Sequence, residues 1–448
     1  MSSLPSKRRL MNWGQFPVRS GRSYEFHSEY DLDNAWVQLE DGFIARGMGR
    51  CYGDGSLAPT VLSTIHYSHI LHLDEEKGIV IAESGITLSR LLNVLIPKGL
   101  FLPVTPGTSY VTLGGAVAAD VHGKNHHCDG SLGSFLEWFD LKLPSGEVVR
   151  CSSRENSELF YATIGGMGLT GLILSVALKL LPIETSWIDQ EIVSAKNLSG
   201  LMQLFESHDS CKYSVAWIDC LHPDNPGRGV FLSGRHVSLE DMRQIDCNPL
   251  QTDLSPKLSI PCNLPNWFLS AWSVRQFNHA YGQIQALKDG HRLVTIPSYF
   301  YPLDIIKNWN RMYGSRGFIQ YQCVLPLKNS EDGLSQILQN IQQSGEGSFL
   351  AVLKKFGSLN SGGWLSFPMD GYTLALDFPR RSSTERLLEK IDNVVRECGG
   401  RLYLAKDSRG PRNLFESSYP RWTEFKLLRN RIDPNRIIKS DLASRLGL

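Results

Sequence analysis

Apolar and polar positions follow two different periods along this chain, and the changes of period mark its elements. In "GIVIAESG" (78–85) Ile79, Val80 and Ile81 form an unbroken β-branched run, which predicts a buried strand. In "TLSRLLNVLIPKG" (87–99) Leu88, Leu91, Leu92 and Leu95 recur at helical spacing, and Thr87 stands where it can cap the first turn. "FLEWFDLKLPSGEVVRCS" (135–152) holds two alternating runs joined by Pro144, Ser145 and Gly146, the pattern of a hairpin. "SSRENSELFYATIGG" (152–166) reads as a short capped helix stopped by glycine. "GLTGLILSVALKLLPI" (168–183) is the best candidate for a membrane span. Ser175 and Lys179 interrupt it short of the ~18 residues needed, and its residues favour strand.

After Ile183 the texture changes. Trp, Tyr and Phe become denser, and long strand-like runs appear, such as "GFIQYQCVLPL" (317–327) and "GYTLALDFP" (371–379). Helical patterns lie between them, "DGLSQILQNIQQSG" (332–345) and "STERLLEKIDNVVRECGG" (383–400). The organisation expected is α+β: a first domain over 1–185, a second with a broad antiparallel sheet over 186–400, and a closing segment of loops and short helices over 401–448.

Composition narrows the function. Of 448 residues 42% are hydrophobic and 20% charged, enough for a large core. A net charge of +1 argues against a general nucleic-acid binder. The nine cysteines are scattered without a CxxC pair, which reads as reduced thiols of a cytoplasmic protein rather than a zinc ribbon. The start, "MSSLPSKRRLMNWGQF", is basic but lacks the apolar core of a secretory signal.

Two features carry candidate chemistry. "DVHGKNHHCDGS" (120–131) crowds three histidines, a lysine, a cysteine and two aspartates together. His122 and His126 have the spacing of a zinc pair, but Gly123 and Asn125 weaken a helix there, Lys124 would set a cation beside the metal, and no convincing third ligand follows. No metal site is expected. The second feature is a set of four glycine stretches: "ARGMGRCYGDGS" (45–56), "TPGTSYVTLGGAVAADVHG" (105–123), "DGSLGSF" (129–135) and "IGGMGLTG" (164–171). One such stretch would be an ordinary turn. Four converging loops suit a phosphate-bearing ligand held by backbone N–H groups. None matches a Rossmann or Walker motif, since "GMGRCYG" keeps only part of G-x-G-x-x-G and no clear crossover helix follows it.

These stretches, with "SFPMDGYTLALDFP" (366–379) and "YLAKDSR" (403–409), resemble the flavin oxidoreductases of the vanillyl-alcohol oxidase superfamily, which bind FAD in a PCMH-type domain. "HGKNHH" and "YLAKDSR" narrow the likeness to the branch that oxidises polyprenyl-phosphoryl ribose. The resemblance runs from about residue 12 to the C-terminus. It implies an FAD domain made from both chain ends with the substrate domain inserted. By motif, Arg46, Gly47, Gly49, Arg50, Cys51, Tyr52, Gly53, Gly107, Thr112, Gly114, Gly115, Ala119, Asp120, His122, Ile173 and Tyr403 would line FAD. Lys406, Tyr52, His122 and Lys124 would be catalytic, and Gln320, Gln322 and Lys354 would contact substrate. His126 and His127 would order the loop, and Trp13 would pack. Where relatives carry a cysteine in the "GYTLALDFP" strand, this chain has Ala375.

The activity implied is FAD-dependent oxidation of a sugar secondary alcohol to a ketone, at C2 of a polyprenyl-phosphoryl-β-D-ribose. This is the first half of an epimerisation to arabinose in cell wall arabinan synthesis, completed by an NAD-dependent short-chain reductase partner. Lys406 and Tyr52 both stand as the base. FAD is expected without a covalent link, because the position where many relatives attach it through histidine is Arg50. A polyprenyl tail implies contact with the inner face of the plasma membrane, helped by basic residues of "PSKRRL" (5–10). Two rivals are a free-sugar or aldonolactone oxidase of the same superfamily and a non-catalytic flavoprotein.

Overall fold

The computed structural model describes residues 6–39, 42–222, 227–242, 248–348 and 350–448; Pro5 of the basic start and Cys247 lie outside the described residues. Three sheets organise them. The first has four strands in the order Ser6–Met11, Val18–Glu25, Thr60–Ser63, Ile44–Arg46. Thr60–Ser63 is parallel to both its neighbours. The chain from Ile44–Arg46 to Thr60–Ser63 is therefore a crossover between adjacent parallel strands, and the first glycine stretch makes it without a helix.

The second sheet is antiparallel, in the order Ile70–Asp74, Ile79–Glu83, Leu172–Lys179, Leu136–Lys142, Val148–Ser152. The apolar run that fell short of a membrane span is its central strand, buried at every position except Lys179. Leu136–Lys142 and Val148–Ser152 form the expected hairpin. Helix Leu88–Leu95 packs beneath, with Leu88, Leu91, Leu92 and Leu95 fully buried and the Thr87 hydroxyl accepting from the Arg90 N–H. Helix Ser157–Thr163 departs from its expected cap: Asn156 precedes it at φ 48° and makes no side-chain bond to the first turn.

The third sheet has eight antiparallel strands, in the order Gly290–Thr295, Trp187–Ala195, Gly229–His236, Tyr213–Ile218, Ala351–Phe356, Gly371–Pro379, Phe318–Pro326, Arg401–Leu402. Strict alternation gives it two unlike faces. Ala216, Ile218, Tyr321, Cys323, Leu353 and Leu374 point to one face, where they pack with Leu201, Ile337 and Leu388 from helices Leu198–Ser207, Ser330–Ser344 and Ser382–Glu397. The opposite face carries Trp217, Val352, Lys354, Ala375, Gln320 and Gln322 and looks into a cavity.

The C-terminal helices Arg412–Ser418, Trp422–Ile432 and Asp441–Leu446 return to the first sheet. Phe43 exchanges backbone hydrogen bonds with Ile437 and Lys439, and Leu57, Phe425 and Leu442 share one core. Arg429 is fully buried there, donating to the carbonyls of Leu169 and Ile438. Arg445 bridges Asp54 and Asp407 at 2.8 and 2.9 Å, joining the glycine crossover to the chain's last turns. Among the described residues no helix is long and apolar enough to cross a membrane.

Candidate active site

A cavity of about 570 Å³ runs between the glycine stretches and the polar face of the large sheet, within the ~300–1,000 Å³ range of small-molecule and cofactor sites. One wall is the crossover 46–52, packed against the helix Leu113–Ala118. A Cβ at Gly47 would lie 2.2 Å from the Thr112 hydroxyl, so glycine alone allows that approach. Arg46 lies on the wall, but its guanidinium donates to the carbonyls of Met11 and Ser56 and to Asn12, so it also holds the crossover in shape. Arg50 is stacked 3.8 Å over the Trp13 ring and 5.3 Å over Tyr110, beside the buried carboxylate of Asp304.

The polar end is cationic. Lys124, Lys354 and Lys406 all line it, and Asp377 on the sheet lies near enough to Lys406 to act on its charge. Burial pushes the Lys354 ammonium down to about 8, and Lys354 makes no ion pair among the described residues. Burial, then the charge of Lys354, pushes Lys124 down to about 7. Lys124 is already engaged: its ammonium donates to the Tyr299 carbonyl and lies 4.6 Å over that ring. Lys406 sits 3.8 Å over the Tyr52 ring. Burial lowers the Lys406 ammonium while Asp377 pulls it back up, and burial raises the Asp377 carboxyl in turn. Burial also raises Tyr52 well above an ordinary phenol.

His122 is buried among Phe356, Tyr403 and Phe367, with ring centres at 4.8, 5.1 and 5.5 Å. Its Nε2 is 3.0 Å from Gln322 Nε2, and its Nδ1 is buried without a hydrogen-bond partner among the described residues. Burial, then Lys354, His126 and Lys406, depresses it far below ordinary imidazole, so it is neutral. Gln320 donates to Asp377 at 2.5 Å.

Nearly all the site residues named from sequence therefore meet at this cavity: Gly49, Cys51, Gly107, Gly114, Gly115, Ala119, Ile173 and Tyr403 line it with those above. Gly53 and Asp120 stand off it. Gly53 is pressed against the Asp407 carbonyl, where a Cβ would lie 1.8 Å away. Asp120 is fully buried at φ 40° and accepts from Ser131, the Gly133 N–H, Ser361 and Ser366 at 2.5–2.9 Å. It ties two loops together behind the wall instead of lining the cavity. His127 Nε2 lies 2.8 Å from the Cys211 carbonyl and His126 packs 4.4 Å from Phe356, so both shape the loop. Among the described residues no group of three His, Cys, Asp or Glu could hold a metal.

Two acids of the site have no counterpart among the residues expected from sequence. Asp304 binds the Thr108 hydroxyl and both the N–H and hydroxyl of Ser109, clamping the second glycine stretch. Nothing in its surroundings in the chain signals this. Asp377 does leave a sign, as the one charge in the apolar strand "GYTLALDFP".

A family model described as FAD binding domain matches residues 27–152, the span that supplies the crossover, the second glycine stretch and His122. With that match the chain is an FAD-dependent oxidoreductase, and the matched span lines the cavity. A second model, described as D-arabinono-1,4-lactone oxidase, matches residues 372–446. The decaprenylphosphoryl-β-D-ribose oxidase of Mycolicibacterium smegmatis is 35% identical over 98% of this chain and 98% of its own. An uncharacterized protein of Streptomyces coelicolor is 34% identical over 81% of this chain and all of its own. Human delta(24)-sterol reductase is 30% identical over 35% of this chain and 30% of its own. The chain belongs to the PCMH-type FAD oxidoreductase family that contains decaprenylphosphoryl-β-D-ribose oxidase.

Proposed function

We propose that the enzyme oxidises C2 of a polyprenyl-phosphoryl-β-D-ribose to the ketone, as the first half of an epimerisation to arabinose that an NAD-dependent reductase completes. One observation carries this: the cavity has unlike ends on a single sheet face. In register across the strands, Gln322 lies opposite Ala375, Ala375 opposite Val352, Val352 opposite Trp217, and Trp217 opposite Val230. The row passes from an amide among lysines to an apolar floor at Val352 and Trp217, with Val215, Leu232 and Tyr281 continuing that end and Gln190, Gln285 and Arg292 also lining the cavity. A phosphoryl sugar fits the first end and isoprene units fit the second.

FAD, when bound, supplies the two-electron acceptor. The glycine crossover, Thr112, Gly114 and Gly115 would hold it, with His122 and Tyr403 at the inner end. The FAD domain would combine 1–185 with 401–448 around an inserted 186–400, a reading supported by the C-terminal helices sharing the first sheet's core. Gln320 and Gln322 orient the sugar hydroxyls, and Lys354, without an ion-pair partner among the described residues, takes the phosphoryl group. Lys406 is favoured over Tyr52 as the base: burial makes a neutral amine easier to reach and a phenolate harder. Ala375 leaves this wall without a thiol. The lactone-oxidase likeness over 372–446 favours the rival of a soluble-sugar oxidase, which would have no use for the apolar floor.

The test is anaerobic bleaching of the oxidised-flavin band by a synthetic prenyl-phosphoryl ribose. Bleaching that improves with added isoprene units is expected. Equal or better bleaching by free ribose or an aldonolactone would favour the rival, and none by any sugar would leave a non-catalytic flavoprotein.

A further inference from the structure

The apolar end of the cavity lies beneath helix Ala271–Ala286, whose Tyr281 meets Trp217 at 4.9 Å between ring centres. The outward side of the same segment is unlike the rest of the surface. Trp267 is 75% exposed, Trp272 71% and Leu287 88%, and Leu258, Phe268, Phe277 and Ile284 are exposed in the same stretch of chain. Single exposed apolar residues are ordinary, but a cluster of this size is not. At about 100° per residue, Trp272, Leu287, Ala280, Ile284 and Phe277 fall within an arc of about 140°, interrupted by Ser273, Gln276 and Gln283. Arg275 flanks that arc, and Lys288 follows the helix.

Charge points the same way. Residues 254–288 contain Lys257, Arg275 and Lys288, all exposed, and no aspartate or glutamate. A second copy presenting the same face would bring cation against cation. Tryptophan with flanking cations is instead the composition that settles at the headgroup level of an anionic membrane, the cations snorkelling outward. We infer that the outer face of residues 257–288 docks on the surface of an anionic lipid bilayer, with the apolar arm of the cavity beneath it. The purpose of docking rests on the polyprenyl reading above, whereas the docking itself is testable without that substrate. It also moves the membrane contact away from the basic start, where Arg8 is paired with Glu25 in an edge strand.

The test is flotation of the FAD-loaded full chain with vesicles of phosphatidylglycerol and phosphatidylcholine, against phosphatidylcholine alone. Binding to the anionic vesicles is expected, weakened by high salt. The double variant Trp267→Ser/Trp272→Ser should lower the partition coefficient at least ~tenfold, since two interfacial aromatics are lost. Its FAD content should equal wild type, showing that it folds. Lys7→Ser/Arg8→Ser/Arg9→Ser should bind as wild type does. The inference is overturned by no co-flotation of wild type, by undiminished binding of the tryptophan variant, or by loss in the strand variant instead. It is also overturned if wild type is a dimer that the tryptophan variant splits, which would give this face to a second copy. Vesicle binding without bleaching by prenyl-phosphoryl ribose would count against the substrate reading alone; bleaching without vesicle binding would count against docking alone.

Discussion

Replacing Lys406 by methionine should keep the fold and FAD but remove most flavin reduction. The side chain is half-buried on the cavity wall, its ammonium over the Tyr52 ring, and methionine fills much of the same volume. A positioned general base contributes ~10²–10⁴ in rate, equivalent to roughly 3–5 kcal/mol of barrier. Some of that loss should be recovered as pH rises and hydroxide assists. The sign of the pH dependence separates two roles. As a base Lys406 must be neutral, so reduction in wild type climbs as pH rises through its depressed pKa; as a fixed cation it must be charged, and the rate would fall over the same range. Asp377 supplies a second handle because its charge holds the Lys406 pKa up. In Asp377→Asn that pKa falls, and the climbing limb should move ~1 pH unit or more toward acid. The assay is anaerobic stopped-flow reduction across pH, with prenyl-phosphoryl ribose as reductant. A Lys406→Met rate equal to wild type, or a limb that does not move in Asp377→Asn, refutes the assignment.

Three further outcomes are expected. Lys354 has a pKa of about 8 before substrate binds, and an anionic phosphodiester favours its charged form, so binding at pH 8 should take up ~0.5 proton. Uptake should fade toward pH 6, where the lysine is already charged, and calorimetry in buffers of different ionisation enthalpy reads it; proton release would contradict the role. Asp120→Ala strips a buried acceptor from four donors and should cost ~3–5 kcal/mol of stability with loss of FAD; a denaturant midpoint like wild type would show that the two loops hold without it. Acid precipitation of the yellow protein should leave FAD in the supernatant, because Arg50, stacked on Trp13, cannot form a flavin bond; a yellow pellet with FAD mass added to the chain would place a covalent link here.

Local physics makes much of this protein legible in its sequence. The run from Leu172 needs only its own β-branched and apolar residues to be a buried strand, and Leu88 to Leu95 need only their spacing to be a helix. The glycine stretches point to close backbone approach because no other residue permits it, as Gly47 against Thr112 bears out. The strand parity of Gln320 and Gln322 puts both on one face. What the chain cannot declare alone is which distant groups meet. Lys406 and Asp120 look alike in sequence, each a charge beside a glycine-rich or loop segment. Only the tertiary packing gives Lys406 to the cavity with Asp377 across from it, and gives Asp120 four donors from two loops behind the wall. The same holds for Asp304, whose partners Thr108 and Ser109 lie almost two hundred positions away. Burial sets these charges' chemistry, and burial is a property of the assembled sheets: it depresses Lys354 and neutralises His122 only because the large sheet, the glycine crossover and the segment from Tyr403 to Lys406 together exclude water from the space they share.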